Sequence, residues 1–344
     1  LFDGLSVVVK KLRWGVMGTA KVARNRVIPA FAEAPNCELV AIASRDYEKA
    51  RLLADLYQVP YAYGSYEALL ADPTIDTIYL PLPNSLHAHW ASAALRAGKN
   101  VLCEKPLACN ADEARMLMEV AQETGRHLQE ALAIFGHPQW QAVRAILDSG
   151  KLGDLRAIHS QFSFHNEDPD NIRNAPSLGG GGLLDLGCYS VAIMSWIMRV
   201  PPHRVMAELD HDARFGVDRS GAAFLDFDGV RGAFSYSMQS AYRQQLSIFG
   251  TTARLELELP FTPPAREECL LKIFGSANLG REQLDLVRIQ PCNQFTASLK
   301  FFAAQVLHGT PSPLLSLEQS VANLRVLDAI RLSAASGHVE SVST

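Results

Sequence analysis

The chain lacks a basic excess. Its 344 residues carry 32 Lys and Arg against 36 Asp and Glu, a formal net charge of -4, with no basic run that could track a nucleic-acid backbone. It also lacks any Cys-x-x-Cys pair. Six cysteines, Cys37, Cys103, Cys109, Cys188, Cys269 and Cys292, are scattered without regular spacing, which argues against a disulfide framework and for reduced thiols in a cytoplasmic protein. The segment Leu1 to Arg13 offers only the short apolar run Val7-Val8-Val9, too little for the core of a secretory leader, and no twin-arginine signal. No later run reads as long enough to span a membrane. Internal repeats are absent, and the one low-complexity tract is the glycine run Gly179 to Gly182.

With 48% hydrophobic and 20% charged residues the composition is that of an ordinary globular protein, and the length exceeds what one core usually serves. We expect two domains, residues 1–131 and 132–344. In the first, apolar runs at Trp14-Met17, Leu39-Ala43, Asp76-Leu80 and Val101-Cys103 alternate with helix-period segments. Strands buried on both faces read this way, so a Rossmann-type doubly wound parallel sheet is expected. Asn110, with Glu113 three residues on, reads as a capping box, and Gly98 as a helix terminator. After Glu130 the pattern changes. A helix from Gln139 to Asp148 leads to a long strand, Leu155 to Phe164, then the glycines and an apolar helix to Met198. Alternating strands follow at Ala222-Phe227, Gly232-Met238, Leu246-Phe249 and Arg254-Leu259, with late helices at Gln294-Leu307 and Glu318-Ala334. This predicts an α+β domain with a large, mostly antiparallel open sheet, its last helices able to pack back on the first domain. Its free face predicts a homodimer or homotetramer.

Three elements carry chemistry. Gly18-Thr19-Ala20-Lys21-Val22-Ala23 follows the first strand as a dinucleotide fingerprint with alanine at its second and third glycine positions. The second strand ends Ser44-Arg45-Asp46: a hydroxyl and a guanidinium suit a 2′-phosphate, and Asp46 starts the next helix, so NADP(H) is favoured with NAD(H) as the alternative. An exposed loop arginine is the competing reading. Val101-Leu102-Cys103 runs into Glu104-Lys105-Pro106, which places a lysine at the carboxyl end of a parallel strand, either as a surface cation or in the ligand crevice. The third element is Gly179 to Gly182 followed by Leu183-Leu184-Asp185-Leu186-Gly187-Cys188-Tyr189. Asp185 and Tyr189 are four apart and share a helical face, a flexible hinge before a capping Asp and a core Tyr being the bland alternative.

In this order the motifs resemble the glucose-fructose oxidoreductase / inositol dehydrogenase (Gfo/Idh/MocA) family over nearly the whole chain. The resemblance rests on Gly18-Thr19-Ala20, Pro81-Leu82-Pro83-Asn84-Ser85-Leu86-His87, Glu104-Lys105-Pro106 and the glycine-led run ending at Tyr189. Tyr189, where many members carry histidine, is similar to the branch with dihydrodiol dehydrogenase, xylose dehydrogenases and sugar 3-ketoreductases. Phe261-Thr262-Pro263-Pro264-Ala265 and Asn293-Gln294-Phe295 resemble the 3-ketoreductases in particular. The segment Glu130 to Pro138 departs from the family by small residues at Ala131 and Ala133, which implies a larger pocket.

The resemblance implies hydride transfer between nicotinamide and a hydroxyl or carbonyl carbon of a sugar or sugar derivative. Lys105, Asp185 and Tyr189 would be catalytic, with Tyr189 as general acid/base tuned downward by Lys105 and Asp185 orienting both the substrate hydroxyl and Lys105. Gly18, Thr19, Ala20, Ser44, Arg45, Pro81, Asn84, His87, Glu104 and Lys105 would meet the cofactor. Lys105, Asn171, Arg173, Asp185 and Tyr189 would meet a polyol or sugar, a surface-loop role for Asn171 and Arg173 being as plausible. His87 and His89 do not have the spacing of a helical metal pair, and no metal, nucleic-acid or membrane partner is expected. A dihydrodiol-type dehydrogenase and a non-catalytic dinucleotide-sensing regulator are the competing functions.

Overall fold

The computed structural model describes residues 10–275 and 283–343; the Val7-Val9 run lies outside them. The four N-terminal apolar runs become β1 (Leu12–Met17), β2 (Cys37–Ala43), β4 (Thr77–Leu80) and β5 (Asn100–Cys103), and two short strands that the sequence did not reveal, β3 (Tyr61–Tyr63) and β6 (Leu128–Glu130), join them. They form one parallel sheet in the order β3-β2-β1-β4-β5-β6. Every residue of β4 and β5 is buried, because elements pack on both faces, and this is why they read as unbroken apolar runs. The strand order reverses between β1 and β4, which opens a crevice at their carboxyl ends.

The helices there begin as their sequence signals direct. Asp46 accepts from the Lys49 N–H and starts Tyr47–Tyr57. Asn110 accepts from the Glu113 N–H at 2.9 Å to start Ala111–Thr124. The expected reciprocal bond lands one residue early, on the Cys109 N–H rather than that of Asn110.

A second sheet is built from β7 (Leu155–His165), β8 (Arg204–His211), β9 (Asp218–Asp226), β10 (Arg231–Ser237), β11 (Gln239–Gly250), β12 (Ala253–Leu257), β13 (Cys269–Gly275), β14 (Gln283–Ile289) and β15 (Glu340–Ser341). Its order is β14-β13-β12-β11-β7-β10-β9-β8-β15, antiparallel except for the β7–β10 pair. Strands β8, β13, β14 and β15 were not legible in the sequence, and they lie toward the sheet edges. The apolar stretch Pro176–Met198 corrects one expectation, since its length and hydropathy would suffice to cross a membrane. Instead it runs through the glycine loop into the core helix Cys188–Met198, and 78% of its most apolar window is buried within the protein.

The helix Gln294–His308 returns to the first sheet. Phe302 packs on Trp14 with ring centroids 5.3 Å apart, and Asn36 donates to the Lys300 carbonyl at 2.9 Å.

His137 starts the helix Pro138–Asp148: its Nδ1 accepts from the Gln139 N–H at 3.2 Å, and the ring is fully buried. Burial lowers its pKa from 6.5 to about 4. Between those values the unfolded chain binds a proton that the folded chain refuses, so stability falls as pH drops through that window, by roughly 3 kcal/mol in full. His137→Asn keeps a capping oxygen without the titration. It is expected to flatten the difference between denaturant midpoints at pH 7 and pH 5, and an unchanged difference would contradict this account.

Candidate active site

The crevice at the sheet switch point is a cleft of about 550 Å³. Gly18, Thr19, Ala20, Ser44, Arg45 and Pro81 line it together with Leu82, Pro83 and Leu86. Gly18 sits at φ +117°, and a Cβ there would press on Leu82 Cδ2 at 3.0 Å, so the first position of the fingerprint requires glycine. At the β2 tip the Ser44 hydroxyl accepts from the Asp46 N–H at 3.2 Å, leaving its own O–H for a ligand. Asp46 also borders the cleft, with its carboxylate engaged as a helix cap and 3.4 Å from Lys49 Nζ. Lys49 and Tyr66, which the sequence reading did not name, line the cleft as well. Burial raises the Tyr66 hydroxyl pKa and Arg45 beside it offsets part of the rise. One hydroxyl and two cations at this tip fit the extra phosphate of NADP(H).

The other cofactor candidates lie elsewhere. His87 is corrected: fully buried, its two ring nitrogens face the Pro106 and Leu82 carbonyls, each at 2.8 Å, so it fastens two loops and has no nitrogen free for a ligand. Asn84 donates to the Gly179 carbonyl at 2.8 Å and ties the cleft to the glycine loop. Glu104 accepts from the Tyr79 hydroxyl at 2.6 Å and from the Lys105 N–H at 3.2 Å, behind the site rather than in the cleft.

Lys105, just past the end of β5, reaches Asp185 in the run that follows the glycines. Its Nζ donates to Asp185 Oδ1 at 2.8 Å and to the Asp185 carbonyl at 2.7 Å, and lies 4.9 Å from the Tyr189 ring centroid. The turn carrying Asp185, Leu183–Gly187, is a π turn ahead of the helix Cys188–Met198, so Asp185 and Tyr189 do not stack as on a regular α-helix; both still reach Lys105. Gly181, at φ +111°, holds the approach to this turn, and a Cβ there would run into the Asp218 carboxylate.

Asp185 carries a second cation: Arg173 Nε donates to Oδ2 at 2.6 Å. Burial would raise the Asp185 pKa, but Arg173 and Lys105 pull it well below the usual carboxylate range. Burial would likewise lower Lys105, and Asp185 more than offsets it. Tyr189 behaves contrary to expectation: burial raises its pKa above that of free tyrosine, and Lys105, the largest opposing influence, offsets only part. Asn171 accepts from the Arg173 N–H at 3.1 Å, so its oxygen shapes the loop. Ile172 between them lines the cofactor cleft.

Beside Tyr189 stands an aromatic wall. Phe261 lies 5.6 Å from Tyr189 and stacks on Phe162 at 4.6 Å and 16°. Buried Gln244 fixes this segment, accepting from the Phe261 and Thr262 N–H groups at 3.2 and 3.1 Å. Ala131 and Ala133 are packed inside at 8% and 7% exposure and do not line the cleft, so their small size adds no room there. Among the described residues no group of three or more His, Cys, Asp or Glu side chains is placed to hold a metal ion.

Comparison with known proteins gives matches over both halves. Residues 12–132 match the model of an oxidoreductase family with an NAD-binding Rossmann fold, and residues 140–256 match the GFO/IDH/MocA C-terminal domain. The chain is 38% identical to a dTDP-3,4-didehydro-2,6-dideoxy-alpha-D-glucose 3-reductase of Streptomyces violaceoruber, over 88% of this chain and 87% of that one. It is 35% identical to D-xylose 1-dehydrogenase (NADP(+)) 2 of Haloferax volcanii, over 95% and 98%. Among solved structures it is similar to KijD10, a 3-ketoreductase from Actinomadura kijaniata in complex with NADP and TDP-benzene. That match has a TM-score of 0.87 and 33% identity, covering 94% of this chain and 98% of the other.

Proposed function

This chain belongs to the GFO/IDH/MocA oxidoreductase family, and from that premise we propose that it reduces the keto group of a nucleotide-linked sugar with NADPH. The observation that carries the reading is the Lys105–Asp185 pair set against Tyr189, one loop away from a cleft suited to NADP(H). The keto-sugar reductases among its relatives favour this substrate class over a free aldose, and so does Phe261 beside Tyr189, in the segment that resembles them.

When bound, the reduced nicotinamide supplies the hydride. Tyr189 gives its phenolic proton to the carbonyl oxygen; its raised pKa keeps it protonated at neutral pH, as an acid for reduction must be. Lys105 spends two N–H groups on Asp185 and has a third for the reacting oxygen, where negative charge develops. Gly18 to Ala20 would cradle the pyrophosphate, and Ser44, Arg45 and Lys49 the 2′-phosphate.

The test is a screen of keto-sugar nucleotides, aldoses, inositols and dihydrodiols, followed at the nicotinamide absorbance. Turnover of dihydrodiols alone would overturn the substrate class, and dinucleotide binding without turnover of any of them would favour the regulator. Arg45→Ala is expected to weaken NADP binding roughly 10- to 100-fold, the range of a lost charge-assisted phosphate contact, while leaving NAD binding unchanged. Titration of both dinucleotides decides this, and tighter binding of NAD than NADP by the unaltered protein would sink the reading of the β2 tip.

The six cysteines are all free, which supports a cytoplasmic location. Met206 and Phe224 pair across β8 and β9 and are 51% and 66% exposed, which supports assembly through the open sheet face. Light scattering at working concentration would measure that assembly.

A further inference from the structure

We infer that Arg173 is a positioning residue for the reaction: by holding one oxygen of Asp185, it offsets the carboxylate that would otherwise cancel the charge of Lys105 at Tyr189 and the reacting oxygen. The inference rests on the roles proposed above for Lys105 and Tyr189.

A carboxylate and a single ammonium, both nearly buried, would largely cancel each other's field at a third group. Here one carboxylate serves two cations, each on its own oxygen, at 2.8 and 2.6 Å. The two cations come from different elements, Lys105 from the end of β5 and Arg173 from the turn Ile172–Asn174. That turn is pinned on both sides. The Arg173 N–H donates to Asn171 at 3.1 Å, its carbonyl accepts from the Gly181 N–H at 2.9 Å, and buried Asn174 donates to the Asp168 carbonyl at 2.8 Å. The guanidinium also lies 5.7 Å from the Phe164 ring. A cation fixed in this way needs no rearrangement as charge develops. Ile172, the preceding residue, lines the cofactor cleft, so the turn borders both that cleft and the Asp185 pair. The charged and titratable groups facing Tyr189 are Lys105, Glu104, Asp185, Cys188, Tyr79 and Arg173. Of these, Lys105 and Arg173 are the cations, set against the carboxylates of Asp185 and Glu104, so that without Arg173 the anions would outnumber the cation.

The sequence alone left Arg173 between a substrate contact and a surface-loop role. A substrate contact and a charge set on Asp185 differ in what they change, and a double-mutant cycle separates them. Arg173→Gln and Arg173→Lys are made singly and on Asp185→Asn, with kcat and KM measured in both directions from pH 6 to 10. Arg173→Gln is expected to lower kcat roughly 10- to 100-fold with the sugar KM within about threefold. The rising limb of the oxidation should move at least about half a pH unit upward, because Tyr189 loses cationic support. Arg173→Lys should recover most of the rate. On Asp185→Asn, where no carboxylate remains to be offset, Arg173→Gln should cost less than about threefold more. In the cofactor-free protein, the tyrosinate absorbance assigned to Tyr189 by difference from Tyr189→Phe should appear at higher pH in Arg173→Gln.

A loss confined to KM, an unmoved limb and tyrosinate titration, or equal costs on both backgrounds would each overturn the inference. Should Arg173→Gln fail to fold, Arg173→Lys on the two backgrounds gives the same cycle, and additive costs there overturn it too. If Lys105→Met and Tyr189→Phe lose activity while the cycle is additive, only the role of Arg173 falls. If those two variants keep wild-type rates, the site assignment itself falls.

Discussion

Lys105→Met is expected to lower kcat by roughly three orders of magnitude while NADP affinity stays within about threefold. Methionine keeps the unbranched shape of the side chain, one atom shorter, and removes the charge and all three donors. The loss combines the hydrogen bond to the developing oxyanion with the cation that opposes the burial of Tyr189. The fold should tolerate the change, because Asp185 retains Arg173 at 2.6 Å and is not left as an orphaned buried charge. Cofactor affinity should hold because Nζ is committed to Asp185 and Lys105 is not among the residues lining the cleft. Single-turnover absorbance with a substrate from the screen, together with equilibrium titration of NADPH, separates the two effects. Wild-type turnover in this variant would refute the site.

Tyr189→Phe is expected to cost roughly 10²- to 10⁴-fold in kcat, the range for removing a general acid. The ring keeps its neighbours Phe162 and Phe261, 5.8 and 5.6 Å away. Among the described residues the hydroxyl has no hydrogen-bond partner, so its removal strands no buried donor or acceptor. Thermal stability should therefore be unchanged or slightly higher, and the activity loss cannot be put down to unfolding. The dependence of the oxidation rate on pH should flatten along with the loss of rate. A variant that is slow yet keeps the parent pH profile would point to another proton donor.

The inner strands of the first sheet were legible because they are largely buried on both faces, and its helices carry strong caps at Asp46 and Asn110; the short edge strands β3 and β6 were not legible. Lys105, Asp185 and Tyr189 were legible because each stands out from an apolar run, where a polar side chain is costly without a purpose. The partnership of Arg173 with Asp185 was not, since it joins a loop to a turn and leaves no periodic trace. Lys49 lay hidden as one more charge on an exposed helix, and only the way that helix meets the β2 tip brings it to the cleft. His87 sits in a motif beside the cofactor turn, yet spacing cannot reveal that two backbone carbonyls already occupy its ring. The direction of the Tyr189 shift was misjudged for a related reason: a sequence names the nearby cation but not the depth of burial that opposes it.

The return of the helix Gln294–His308 to the first sheet sets an order on the birth of this protein. Trp14 leaves the ribosome long before one of its aromatic partners, Phe302, is made. The first sheet therefore keeps an open seam on the nascent chain until the helix Gln294–His308 is made. A release or cleavage between the halves should yield a fragment that seeks chaperones rather than a free dinucleotide binder.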